Sequence, residues 1–120
     1  MLELRAVDVV QPDVAYVGGF TRALAVARMA AEAGVPCTPH AANLSLIPVF
    51  TMHLLRAIPN AGPYLELSIE GADYYPWQDG LYDPPLAVVD GSVAMPDGPG
   101  WGVEVSPSWL AAAERRVSAA

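Results

Sequence analysis

The chain has 120 residues, of which 53% are hydrophobic and 16% charged, with a net charge of −7 at neutral pH. That length admits one modest domain and excludes a complete (β/α)8 barrel, which needs about 250 residues. So apolar a composition forms a core rather than a disordered chain. An acidic protein with a pI near 4.5 also lacks the basic face with which a nucleic-acid binder neutralises phosphates.

All six basic residues are arginine, and there is no lysine. Cys37 is the only cysteine, which rules out an intrachain disulfide and a cysteine-based zinc site. The opening Met1-Leu2-Glu3-Leu4-Arg5 lacks the basic start and apolar run of a secretory signal. No stretch reaches the roughly 18 apolar residues of a membrane span. The expectation is a soluble, cytoplasmic protein with neither nucleic acid nor membrane as partner.

In chain order, residues 6–10 (Ala-Val-Asp-Val-Val) predict a short buried strand, stopped at Gln11-Pro12. Gly18-Gly19 reads as a tight turn rather than a phosphate loop, because a lone glycine pair is a weak signal. The Ala, Leu, Met and Arg content of residues 21–33 predicts a helix. Phe20, Leu24, Ala27 and Ala31 would form its buried stripe, and Gly34 would end it. Residues 35–39 predict a second strand, with His40 just beyond. A second helix is expected from about Leu44 to Ala57. Pro48 is tolerated only near its first turn, and Pro59-Asn60-Ala61-Gly62 breaks it. Tyr64-Leu65-Glu66-Leu67 predicts a third strand.

Strand–helix alternation of this kind implies parallel strands joined by right-handed crossovers, an α/β class. After residue 70 the pattern changes. Residues 71–85 read as an irregular loop rich in Gly, Asp, Tyr and Pro. Residues 86–95 place Asp90-Gly91 between two alternating runs, a hairpin signal. Residues 96–102 form a Gly/Pro loop, Val103-Glu104-Val105 a short strand, and Ser108 is expected to cap a helical turn from Trp109 to Arg116. The chain thus divides into a βαβαβ part, 1–70, and a tail, 71–120. Three parallel strands leave two edges and an open face, which predicts a homo-oligomer or a poorly folded isolated chain.

Three polar residues stand at comparable points of three successive units. Asp13 follows the first strand, His40 the second, and Glu66 ends the third; the intervals are 27 and 26 residues. Such a period brings the side chains to one rim, at the C-terminal ends of neighbouring strands, where parallel α/β folds bind ligands. A carboxylate beside a histidine selects its tautomer and stabilises the imidazolium, making a better base. A further acid, kept protonated, donates to an oxyanion. The bland readings are equally open at this point: Asp13 bonding loop amides, His40 as a loop or helix-start histidine, Glu66 as a solvated strand end.

These residues lie within a wider pattern. Val10-Gln11-Pro12-Asp13, Val17-Gly18-Gly19-Phe20-Thr21, Ala31-Glu32-Ala33-Gly34-Val35-Pro36, Pro39-His40 and Tyr64-Leu65-Glu66 resemble the C-terminal part of the enolase superfamily. The similarity is to its mandelate racemase/muconate lactonizing branch and, within it, the mandelate racemase-like subgroup. Asp90-Gly91-Ser92-Val93, Pro96 and Gly98-Pro99-Gly100-Trp101-Gly102-Val103 are similar to that family's closing segment, so the resemblance covers roughly residues 6–110.

The resemblance implies the C-terminal portion of a (β/α)7β TIM-type barrel: its last three strands with two helices, and a tail running toward a capping domain. Asp13 and His40 would form a general acid/base dyad acting on the proton α to a carboxylate. Glu66 would hydrogen-bond the substrate carboxylate as it becomes an enediolate. Implied partners are a small carboxylate substrate such as an acid sugar, the missing N-terminal part of the barrel and the capping domain. The implied cofactor is Mg²⁺, whose three carboxylate ligands, like the family's lysine element, belong to strands outside this chain. The alternatives are a non-catalytic remnant and a small α/β binding module.

Other residues have local readings. Asn43 either touches substrate hydroxyls or caps the second helix. His53 packs or faces solvent, and Cys37 is a small buried residue. Tyr74, Tyr75 and Trp77, beside Asp73 and Asp79, line a sugar site or hold their loop by aromatic packing. Trp101, between glycines, is expected to anchor the tail against a partner domain.

Overall fold

The computed structural model describes residues 1–41, 45–68, 70–76 and 80–118, in two compact units, Met1–Glu70 and Gly71–Ala120. The expectations for Asn43, the helix start at Leu44, Trp77 and Asp79 fall outside the described residues.

In the first unit, three segments run parallel and are paired through single residues, Val10 with Cys37 and Cys37 with Ala61. The Val10 amide donates to the Pro36 carbonyl (3.0 Å) and Thr38 N to Val10 O (2.9 Å). On the other side Cys37 N donates to Asn60 O and Gly62 N to Cys37 O, both at 2.8 Å. The prolines explain why the expected strands shrink to these bridges. The next donor in the first ladder would be residue 12 and in the second residue 39, and both are proline, with no N–H to give. Pairing of the third segment is centred on Ala61 rather than on Tyr64-Leu65-Glu66-Leu67. Glu66 therefore lies five residues past its pairing position.

Helix α1, Phe20–Glu32, crosses between the first two segments. Its fully buried positions are Ala23, Ala27 and Ala30, while Phe20 and Leu24 are only partly buried. The expected stripe is thus rotated toward the alanines, whose small side chains allow close approach to the segments beneath. The helix ends as foreseen: Gly34 takes φ +73° and the Val35 amide returns to Ala30 O at 2.8 Å. Helix α2, Leu46–Ala57, is capped by Ser45, whose Oγ accepts from Ile47 N at 3.3 Å. Pro48 falls in its first turn, where the missing N–H costs no helical bond.

Val14, Ala23, Ala27, Cys37, Leu54 and Ile58 form the core, with Val10, Val17, Phe20 and Leu24 packed on it. Phe20 and Phe50 meet edge to face, ring centroids 5.9 Å apart. Asn60 ties the layers together: Nδ2 donates to Ala27 O (3.1 Å) and Val35 O (2.8 Å) while its carbonyl holds Cys37 N.

In the second unit, β1 (Tyr82–Asp83) pairs antiparallel with β4 (Glu104–Val105), and β2 (Val88–Val89) with β3 (Ser92–Val93). The expected hairpin forms, and its turn residues Asp90 and Gly91 both have positive φ, 49° and 73°, as a primed two-residue turn requires. Helix α3 is Pro107–Ala112, shorter and earlier than expected. Its N-cap is Ser106, not Ser108, because Pro107 suits the first helical position. The Ser108 hydroxyl instead meets that of Ser106 at 2.8 Å. Among the described residues no helix is long and apolar enough to cross a membrane.

Asn60→Ala removes both side-chain bonds and strands the Val35 carbonyl, while Ala27 O keeps its acceptor place within α1. It should lower the unfolding free energy by about 1–3 kcal/mol, read from the urea midpoint.

Candidate functional site

Where the prolines stop the ladders, the chain leaves regular pairing and presents side chains at the C-terminal rim. Asp13 lies three residues past Val10, and His40 three past Cys37. Residues 13–19 turn tightly, Val17 N reaching Asp13 O at 2.9 Å and Gly19 N reaching Val14 O at 2.7 Å. Asp13 organises this turn, since Oδ1 accepts from the Ala15 (2.8 Å) and Tyr16 (3.0 Å) amides. Its other oxygen, Oδ2, is 2.8 Å from His40 Nδ1. Asp13 thus bonds the amides of its own turn through one oxygen and meets the imidazole through the other.

Asp13 keeps only 10% of its side-chain surface exposed, against 39% for His40. Burial opposes ionisation of Asp13. The hydrogen bonds from His40 and from the Tyr16 and Ala15 amides outweigh it, and hold the carboxyl below its ordinary 3.8. Glu66 completes the group. Its Oε2 accepts from the Ala41 amide at 3.0 Å and lies 3.9 Å from His40 Nε2. That second distance suits an ion pair with a protonated ring and is too long for a hydrogen bond.

With Nδ1–H directed at the Asp13 carboxylate, the neutral ring carries its lone pair on Nε2. The arrangement can take up a proton at Nε2 and stabilise the resulting charge through Asp13. Beneath it, Cys37 is fully buried, and burial pushes its thiol up from its ordinary value. His53 is half-buried on α2 and lies outside the trio. A cleft of about 440 Å³ sits at the opposite ends of the same segments, lined by residues including Gly34, Pro36, Pro59 and Asn60. None of the trio lines it. The Ala41 amide is the functional group that sequence reasoning missed. A backbone donor carries no residue-type signal, and only the fold directs it at Glu66.

The model of the enolase C-terminal domain-like family matches residues 1–109. The chain belongs to that family. Among curated proteins it is 33% identical over 113 residues to D-galactarolactone cycloisomerase of Agrobacterium fabrum, covering 88% of this chain and 29% of that one. It is 30% identical over 107 residues to arabinonate dehydratase of Saccharolobus solfataricus, covering 88% and 27%. A solved structure from Roseobacter denitrificans, provisionally described as a racemase, superposes with a TM-score of 0.84 at 62% identity, over 92% of this chain and 31% of that one. Other solved neighbours are enolases of the mandelate racemase subgroup. The chain thus has the α/β fold of the enolase C-terminal domain and spans 27–29% of the length of these curated relatives.

The family's Mg²⁺ does not fit the donors present. Among the described residues no three His, Cys, Asp or Glu side chains are placed to hold a metal ion. Both Asp13 oxygens are already taken by two amides and an imidazole, and a cation beside His40 would compete with its proton.

Because the Asp13 carboxyl is depressed in the folded protein, its ionised form stabilises the fold at pH above its ordinary value. That contribution is lost as pH falls through the lower, folded value. Asp13→Asn should therefore flatten the acid side of the stability profile and cost about 1–2 kcal/mol at pH 7, measured by urea unfolding from pH 7 to pH 3.

Proposed function

We propose that this chain is the C-terminal part of a longer, Mg²⁺-dependent enolase-superfamily enzyme that removes the proton α to the carboxylate of a small acid sugar. His40 is the general base. Asp13 orients it and stabilises its charged form. Glu66, when protonated on Oε1, donates to the substrate carboxylate as negative charge builds on it. The observation that carries this reading is the 2.8 Å contact between Asp13 Oδ2 and His40 Nδ1, which leaves Nε2 as the basic nitrogen.

The proton passes from the α-carbon to Nε2, and the imidazolium formed is held by the Asp13 carboxylate, itself kept ionised by two amides. The same step opens a racemisation, an epimerisation or a loss of water. Relatives named as a sugar-lactone cycloisomerase and a sugar-acid dehydratase support an acid-sugar substrate. The share of their length that this chain spans supports a site completed by further residues. Those residues would hold the magnesium, which would offset the negative charge that builds on the substrate. No lysine base comes from this chain, which has none.

The test is α-proton exchange in D2O with Mg²⁺ and a panel of aldonates and aldarates, using the chain alone and together with the polypeptide that completes its barrel. Exchange is expected only with the complement, and His40→Asn should slow it by about 10²–10⁴. Turnover by the chain alone, or an unimpaired His40→Asn complex, would overturn the proposal.

A further inference from the structure

The pairing register shows something unusual at Ala41. With Cys37 opposite Ala61, a continuing parallel ladder would send the Ala41 amide to the Tyr64 carbonyl. Pro39 interrupts that ladder, having no N–H for the Gly62 carbonyl. The Ala41 amide goes instead to a side chain, Glu66 Oε2, at 3.0 Å. A carboxylate thus stands in for a missing backbone rung.

Its position matters for the residue between. His40 is flanked by Pro39 and Ala41, both fully buried. Proline restricts the backbone before the histidine, and the bond to Glu66 orients the peptide plane that follows it. The ring itself is held at Nδ1 by Asp13. The imidazole is therefore fixed at the ring by Asp13 and at the main chain by Glu66, across 25 residues of sequence.

We propose that Glu66 is a positioning residue for His40, acting through the Ala41 amide by the reach of its side chain rather than by its charge. This assignment adds to the donor role given to Oε1, and it rests on His40 being the general base. Glu66→Gln keeps a carbonyl oxygen at the same reach and removes the charge. Glu66→Asp keeps the charge and shortens the reach by one methylene.

Amide hydrogen exchange at Ala41 and the imidazole NMR signals of His40 separate these effects. The chain has two histidines, so His53→Gln assigns the spectrum. In Glu66→Ala and Glu66→Asp, Ala41 exchange should quicken about tenfold, the loss expected for one hydrogen bond, and the His40 ring signals should shift. Glu66→Gln should match the unmodified protein in Ala41 exchange, and in the His40 signals when the ring is neutral, since the charge it removes lies 3.9 Å from Nε2. If Glu66→Ala fails to fold, the Gln and Asp variants decide the matter between them. A wild-type Asp variant with a perturbed Gln variant would overturn the proposal in favour of charge, and unchanged exchange in the Asp variant would overturn it outright. Neither readout requires turnover. An intact tether with no α-proton exchange even in the completed complex would count against the proposed function alone.

Discussion

Cys37 is paired through its backbone on both sides, to Val10 and to Ala61, and that double bridge holds together the three parallel segments of the first unit. Its side chain is fully buried in the core formed by Val14, Ala23, Ala27, Leu54 and Ile58. Its amide and carbonyl are both used, by Asn60 and Gly62. Helix α1 forms the first crossover and buries Ala23, Ala27 and Ala30, while α2 buries Val49, Thr51, Met52 and Leu54. The segment carrying His40 thus leaves the core at a defined height and direction.

Proline turns this compact pairing into a site. Had residues 12 and 39 been able to donate, both ladders would have run on, and Asp13 and His40 would have stood inside regular strands. Instead the backbone is released just beyond Val10 and Cys37, and the polar groups there must find other partners. Asp13 satisfies two amides of its own turn and then the imidazole. Glu66 satisfies Ala41. The hydrogen bonding that repairs the interrupted sheet also aligns Asp13, His40 and Glu66, the group proposed for acid–base chemistry.

Much of this was legible in the residues. Helix α1 and its stop at Gly34 followed from composition and glycine, and α2 followed from apolar content with Pro48 near its start. The Asp90-Gly91 turn followed from the φ values such a pair readily adopts. The family resemblance rested on the order of several weak motifs, which the match over residues 1–109 supports. Less visible were the extents of the parallel segments. Apolar runs announce a strand, but the length of its pairing depends on which opposed residues can donate. The earlier start of α3 was also hidden, because Ser106 and Ser108 carry the same capping signal and Pro107 decides between them.

Residue type and spacing alone settled that the chain is an acidic α/β protein without lysine, and that Asp13, His40 and Glu66 recur at intervals of 27 and 26 residues. Spacing works there because a strand, a crossover and its loops consume a nearly constant length of chain. Only the tertiary structure decided what each oxygen and nitrogen does: Asp13 divided between its own turn and Nδ1, Glu66 on a backbone amide rather than hydrogen-bonded to the ring. Those partners lie 25 and 27 residues away, and a hydrogen bond is a matter of about 3 Å and of direction, which no one-dimensional pattern records.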